Sequence, residues 1–213
     1  MELYALILIA SLLVGFGDSL FSFLFGGSDD DDGTAPQPDT RLYDDSDGAD
    51  DGAITGTSGS DSISGSTQAQ GFDGDDLTSP DDTITALSGD DSISAGLGND
   101  QVFGGDGNDL VLAGFGNDEV QGGAGNDTVL GEAGNDTLDS GTGDDLINGG
   151  DGDDLLLAAL AGTKSLIGGA GNDTILSGAQ NDQINAGSGN DSVDAGAGND
   201  SVLGGSGNDT VLG

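Results

Sequence analysis

The chain has 213 residues, with 40 acidic side chains against 2 basic ones, a formal charge of -38, 43 glycines, and no cysteine or histidine. Without imidazole or thiol there is no ordinary zinc site, no disulfide framework and none of the common His- or Cys-based catalysis. Arg41 and Lys164 are too few to hold a phosphate backbone, so nucleic acid is excluded as a natural partner, and 33% apolar with 4% aromatic residues is too little for a thick globular core.

In chain order, the first element is Leu3 to Phe25, apolar except for small residues and Asp18. Its 23 positions suffice for a membrane-spanning helix, which needs about 20. A carboxylate at mid-membrane costs about 2.5 to 3.5 kcal/mol, but Asp18 lies toward one end, where the cost is smaller. Residues 1–27 therefore read as a hydrophobic anchor or a signal. The shortness of the uninterrupted run Leu3 to Gly17 favours a cleaved signal; Glu2 in the leading region and the missing A-x-A site disfavour it. A buried or partner-binding helix is the third reading. The only nearby positive charge is the amino terminus, which places that end in the cytoplasm and the acidic remainder outside.

Residues 28–52 carry the run Asp29 to Asp32, Pro36 and Pro38, and no apolar periodicity. Like charges keep such a segment extended, so it is expected to be a disordered acidic linker. A flexible run does not hold carboxylates at fixed geometry, which argues against a cation site there.

Everything after the linker repeats. From Asp91 one phrase returns every nine residues: "LGNDQVFGG", "DGNDLVLAG", "FGNDEVQGG", "AGNDTVLGE". Its phase is kept by Asp91, Asp100, Asp109, Asp118, Asp127, Asp136, Asp145 and Asp154, and resumes with Asp173, Asp182, Asp191, Asp200 and Asp209. Two residues after each Asp stands one aliphatic residue, from Ile93 and Val102 to Val202 and Val211. Weaker copies at "GSDSISG" (Asp61, Ile63) and "PDDTITAL" (Asp82, Ile84) make residues 53–87 a degenerate stretch capping the main array of 88–213. Of the 40 acids, 37 are Asp and only Glu2, Glu119 and Glu132 are Glu. A merely solvating charge would use both, and disorder has no need of an aliphatic residue in phase.

Each unit has two halves. Three residues with the middle one apolar make a minimal strand; six glycine-rich residues ending in G-N-D make a turn, because Gly and Asn adopt backbone angles closed to most residues. Two such nine-residue units close one flattened coil with two strands facing across a thin aliphatic core, and coils stack as parallel strands. Stacked coils lie about 4.8 Å apart, which brings like Asp residues close together. Two unit charges at that spacing repel by about 3 to 4 kcal/mol at an effective dielectric near 20. A hard divalent cation between turns reverses the sign by taking carboxylate and carbonyl oxygens. Calcium suits this better than magnesium, since it accepts six to eight oxygens in irregular geometry.

The array resembles the RTX, or repeats-in-toxin, nonapeptide family of hemolysin-type calcium-binding repeats, with the motif G-G-x-G-x-D-x-U-x. "GGDGNDLVL" (Gly104 to Leu112), "GGAGNDTVL" (Gly122 to Leu130), "GGAGNDTIL" (Gly168 to Leu176) and "GGSGNDTVL" (Gly204 to Leu212) match at every position. The resemblance implies an all-β, right-handed parallel β-roll solenoid with two nine-residue units per turn, here preceded by the N-terminal apolar helix and acidic linker. It implies multiple Ca2+ ions held by position six, the Asp row above together with Asp82. Carbonyls of position two (Gly105, Gly123, Gly169, Gly205) complete each site. So do those of position four (Gly89, Gly98, Gly107, Gly116, Gly125, Gly134, Gly143, Gly152, Gly171, Gly189, Gly198, Gly207).

Two departures stand out. Asp154 and Asp173 are one residue further apart than two units allow, which puts Lys164 at a position six and Leu166 at an inward place. Either the ammonium replaces a calcium ion between the rows of Asp145 and Asp182, or Lys164 lies in water on a bulged loop. Gln180 stands where Gly is expected, so the turn before Asp182 should be strained. The expected function is non-enzymatic calcium binding by a secreted or membrane-tethered bacterial roll that folds outside the cytosol. Two rivals are a surface adhesin or stalk, using outward Leu112, Leu130, Leu157 and Leu176 for self-association or a partner, and a piece of a larger exported protein. A catalytic carboxylate pair would need a cleft, which a solid roll lacks.

Overall fold

A unit of alternating small, apolar and polar residues can pair only with the next unit of the same phase, and this decides the architecture. The computed structural model describes residues 41–42, 53–64 and 81–213, all within the unit Gln37–Gly213. The apolar segment 3–25 with its expected helix, most of the linker, and residues 65–80 lie outside the described residues. Among the described residues no helix is long and apolar enough to cross a membrane.

Alternate strands share a sheet. One sheet stacks β1 (Arg41–Leu42), β3 (Ser62–Ser64), β5 (Ser92–Leu97), β7 (Leu110–Phe115), β9 (Thr128–Ala133), β11 (Asp145–Asp151), β13 (Lys164–Ala170), β15 (Gln183–Ser188) and β17 (Ser201–Leu203). The other stacks β2 (Ala53–Thr55), β4 (Thr83–Thr85), β6 (Gln101–Asp106), β8 (Glu119–Ala124), β10 (Thr137–Thr142), β12 (Leu155–Leu157), β14 (Thr174–Leu176), β16 (Ser192–Asp194) and β18 (Thr210–Leu212). Pairing is parallel, and the register joins residues two units, or one coil, apart: Ile93 with Val111, Val111 with Val129, Val102 with Val120. The chain is a parallel β-solenoid. The strand β1 falls inside the stretch read as linker and pairs with β3 through Arg41 and Ser62.

The aliphatic row points inward as expected. Ile93, Val102, Val111, Val120, Val129, Leu138, Ile147, Leu156, Leu166 and Ile175 are all buried. Val211, on β18, is 47% exposed. The core also has a second inward row that the three-residue strand does not foresee. Ala86, Ala95, Ala113, Ala158, Ala186 and Ala195, at position one of their units, are fully buried. Several strands run six residues because the parallel ladder continues through the glycines, as in the pairing of Gly105 with Gly123. Small residues at these places allow the two sheets to close at the coil's edge.

Of the four outward leucines, three are half-buried and only Leu176 is exposed. Leu112 lies beside Leu130 and Leu157 beside Leu176, so they cover one another. The extra residue of the long coil is absorbed at Ala159–Leu160. Ala158 N–H still bonds Leu176 O and Ala161 O still accepts from Gly143 N–H, while Leu160 is 51% exposed. Gln180 does not strain its turn: among the described residues only Leu87 and Glu132 have positive φ without being Gly. The turn there takes a different backbone path.

Candidate metal centre

The turns are built by two side-chain rows running in opposite directions. In the inner row each Asp reaches back one coil: Asp91 N–H donates to Asp109 Oδ1 at 2.8 Å, Asp109 N–H to Asp127 Oδ1 at 2.9 Å, and Asp100 N–H to Asp118 Oδ1 at 2.8 Å. The pattern carries through Asp136, Asp154, Asp173, Asp182, Asp191, Asp200 and Asp209, at up to 3.1 Å. In the outer row Asn reaches forward: Asn117 N–H donates to Asn99 Oδ1 at 2.8 Å, and Asn135 N–H to Asn117 Oδ1 at 2.7 Å. The Asn of G-N-D is therefore a stitch between coils as well as a turn residue. The nine-residue phase carries the signal for this, since each Asn stacks on an Asn or Asp one coil away, as Asn126 does on Asp144 and Asn108 on Asp90.

Along most of the inner row one oxygen per residue is left over. Oδ2 of Asp91, Asp100, Asp109, Asp118, Asp127, Asp136, Asp154, Asp173 and Asp191 is buried and accepts no hydrogen bond from the protein. A buried carboxylate oxygen with no partner is expensive, and here the lack recurs from coil to coil. Burial is also the main cause of raised pKa values in the metal-free fold. Asp91, Asp127 and Asp173 are pushed up to about 6, and Asp100 and Asp136 to about 7, with ladder carboxylates adding to burial and the coil-to-coil N–H bond opposing it. Asp109, Asp118 and Asp154 move the same way for the same first cause.

The glycines of the turn face this row. Gly105 and Gly107 have φ of 112° and 148°, a region that side chains rarely enter. A Cβ on Gly107 would collide with the carbonyl of Gly89 one coil before, so the turns stack at contact distance. Position two is not always Gly: Leu87 and Glu132 hold it with φ of 80° and 73°. Gly96, Gly114, Gly141, Gly150 and Gly187 share the positive φ of position two. The expected set of ligand carbonyls omits them, although the phrase places them in phase with Gly105.

Lys164 marks where a cation sits in such a turn. It is 1% exposed, which overturns the reading of a side chain in water. Its Nζ donates to Gly141 O at 3.0 Å, Gly143 O at 2.9 Å and Asp145 Oδ2 at 2.5 Å, and forms an ion pair with that carboxylate. These are positions two, four and six of one unit. The same three oxygens recur as Gly105, Gly107 and Asp109, and as Gly123, Gly125 and Asp127. Among the described residues no group of three or more carboxylates converges, so a metal here would be held by few carboxylates and several carbonyls. That all-oxygen, carbonyl-rich set is one calcium accepts.

Fold and site together define a parallel β-solenoid with cation-binding turns between its coils. The RTX calcium-binding nonapeptide repeat, taken four copies at a time, matches residues 81–111, 103–138, 112–147, 131–160, 165–193 and 178–211. The chain belongs to that family. Its repeats form a β-roll solenoid and bind Ca2+ at multiple sites along the array. No curated protein matches the chain.

Proposed function

We propose that this is a non-catalytic, right-handed calcium-binding roll which works outside the cytosol of a bacterium and folds when calcium enters its turns. The observation that carries the reading is the row of buried Asp Oδ2 atoms without protein partners. On this reading the in-phase Asp residues between Asp82 and Asp209 supply carboxylates, and the carbonyls of positions two and four supply the remaining protein oxygens. Export accords with the family, whose members typically act outside the cell, and residues 3–25 serve as anchor or export signal. The adhesin reading has less to support it, since its outward leucines pack on one another.

The energetics follow mass action. A ligand bound only by the folded chain adds RT ln(1 + [L]/Kd), about 2.7 kcal/mol per site at a hundredfold excess. Several sites sharing one stack make the transition steep. Calcium titration of the chain, followed by far-ultraviolet circular dichroism, should show a cooperative gain of strand signal that chelator reverses. A spectrum indifferent to both calcium and chelator refutes the proposal.

A further inference from the structure

We infer that Lys164 is a built-in substitute for one calcium ion and interrupts one of the two rows of metal sites, dividing it into separate blocks. The inference rests on the calcium reading above and adds an exception to it.

An ammonium has three N–H donors, and Lys164 spends all of them on Gly141 O, Gly143 O and Asp145 Oδ2. Elsewhere in the main array these oxygens form the slot between a unit and the unit one coil on; here the occupant comes from that next unit. The result shows in the orphaned atoms. Asp127 and Asp109, earlier in the same row, keep a buried Oδ2 with no protein partner, whereas Asp145 Oδ2 has one. The ammonium sits at hydrogen-bond distance from the oxygens a metal would need, so both cannot be present.

The adjoining slot is altered as well. Between Lys164 and Asp182 the first unit brings no carboxylate, and its position-two carbonyl lies at the bulge Ala159–Leu160. Asp145 N–H, lacking a carboxylate from the next coil, turns to Thr163 O at 3.2 Å. Asp182 Oδ2 accepts a hydrogen bond from Ser177 Oγ. The other row runs on undisturbed, with Asp154 N–H bonded to Asp173 Oδ1 at 3.0 Å across the lengthened coil. The solenoid thus has one joint that needs no metal on one side, while calcium sites continue on the other.

The test is an anomalous difference map from calcium-loaded crystals of the whole chain, paired with ion counting by native mass spectrometry on wild type and Lys164→Asp. The expected map has an ion at Gly123 O, Gly125 O and Asp127 Oδ2 and none at Gly141 O, Gly143 O and Asp145 Oδ2. Lys164→Asp is expected to bind at least one more calcium ion per chain and to need more calcium at its folding midpoint. An ion in both wild-type slots, or equal ion counts for a folded Lys164→Asp, overturns the inference. Ions in neither slot overturn the calcium reading on which it rests. If Lys164→Asp does not fold, the wild-type map decides alone.

Discussion

At the scale of single residues, the ladder Asp has two jobs, one for each oxygen. Oδ1 accepts an N–H from the previous coil and would be satisfied equally by an amide; along most of the row Oδ2 has no protein partner, and at Asp145 it is the oxygen that shares a cation with the turn carbonyls. Asp127→Asn separates the two. The amide oxygen keeps the bond from Asp109 N–H, and one charge leaves the slot. Calcium titration should give about one ion fewer per chain and a higher folding midpoint, because each hard cation favours charged oxygen ligands. An unchanged ion count would show that Asp127 is structural alone. The Asn or Asp before each ladder Asp has a structural task, and its preference over other turn residues follows from a short side chain whose oxygen reaches the next coil's N–H.

At the scale of the element, each coil contributes two inward aliphatics and two small residues, so its core is one residue deep. Ile147 is fully buried between Val129 and Leu166 along its sheet. Ile147→Ala removes most of one coil's apolar contact and leaves a cavity with little chance to collapse. Such a change costs about 2 to 5 kcal/mol. Urea denaturation in saturating calcium should show a loss of that size. A change below about 0.5 kcal/mol, the range of ordinary surface substitutions, would mean that metal alone holds the coil together. The long strands have the same logic: with so little side-chain volume per coil, the parallel backbone ladder must run through the glycines to secure the stack.

At the scale of the whole molecule, charge decides whether the stack forms. The buried ladder carboxylates bind protons more tightly in the metal-free fold than near the ordinary value of 3.8, up to about 7 at Asp100 and Asp136. The folded state therefore holds more protons than the unfolded chain between about pH 4 and pH 7, and linkage makes the metal-free fold lose stability as pH rises through that window. In chelator, strand signal by circular dichroism should be greater at about pH 5 than at about pH 8, and calcium should restore it at the higher pH. The reverse order would show that repulsion within the ladders is not what calcium relieves. Calcium and protons compete for the same oxygens, so calcium affinity should fall on acidification.

The nine-residue phase by itself determined the coil length, the parallel pairing of alternate units, the inward aliphatic row and the row of Asp, because all of these are consequences of a strict period. It also placed Lys164 and Leu166 in register across the extra residue. The second inward row of small residues, the Asn stitching, and the position-two backbone of Leu87 and Glu132 emerged only when coils were stacked, since each depends on a neighbour one full coil away along the chain. The choice between a lysine in water and a lysine in a slot could be made only by tertiary structure. Sequence spacing puts a residue at a position, but only the packed turn shows whether three oxygens converge there to receive its charge.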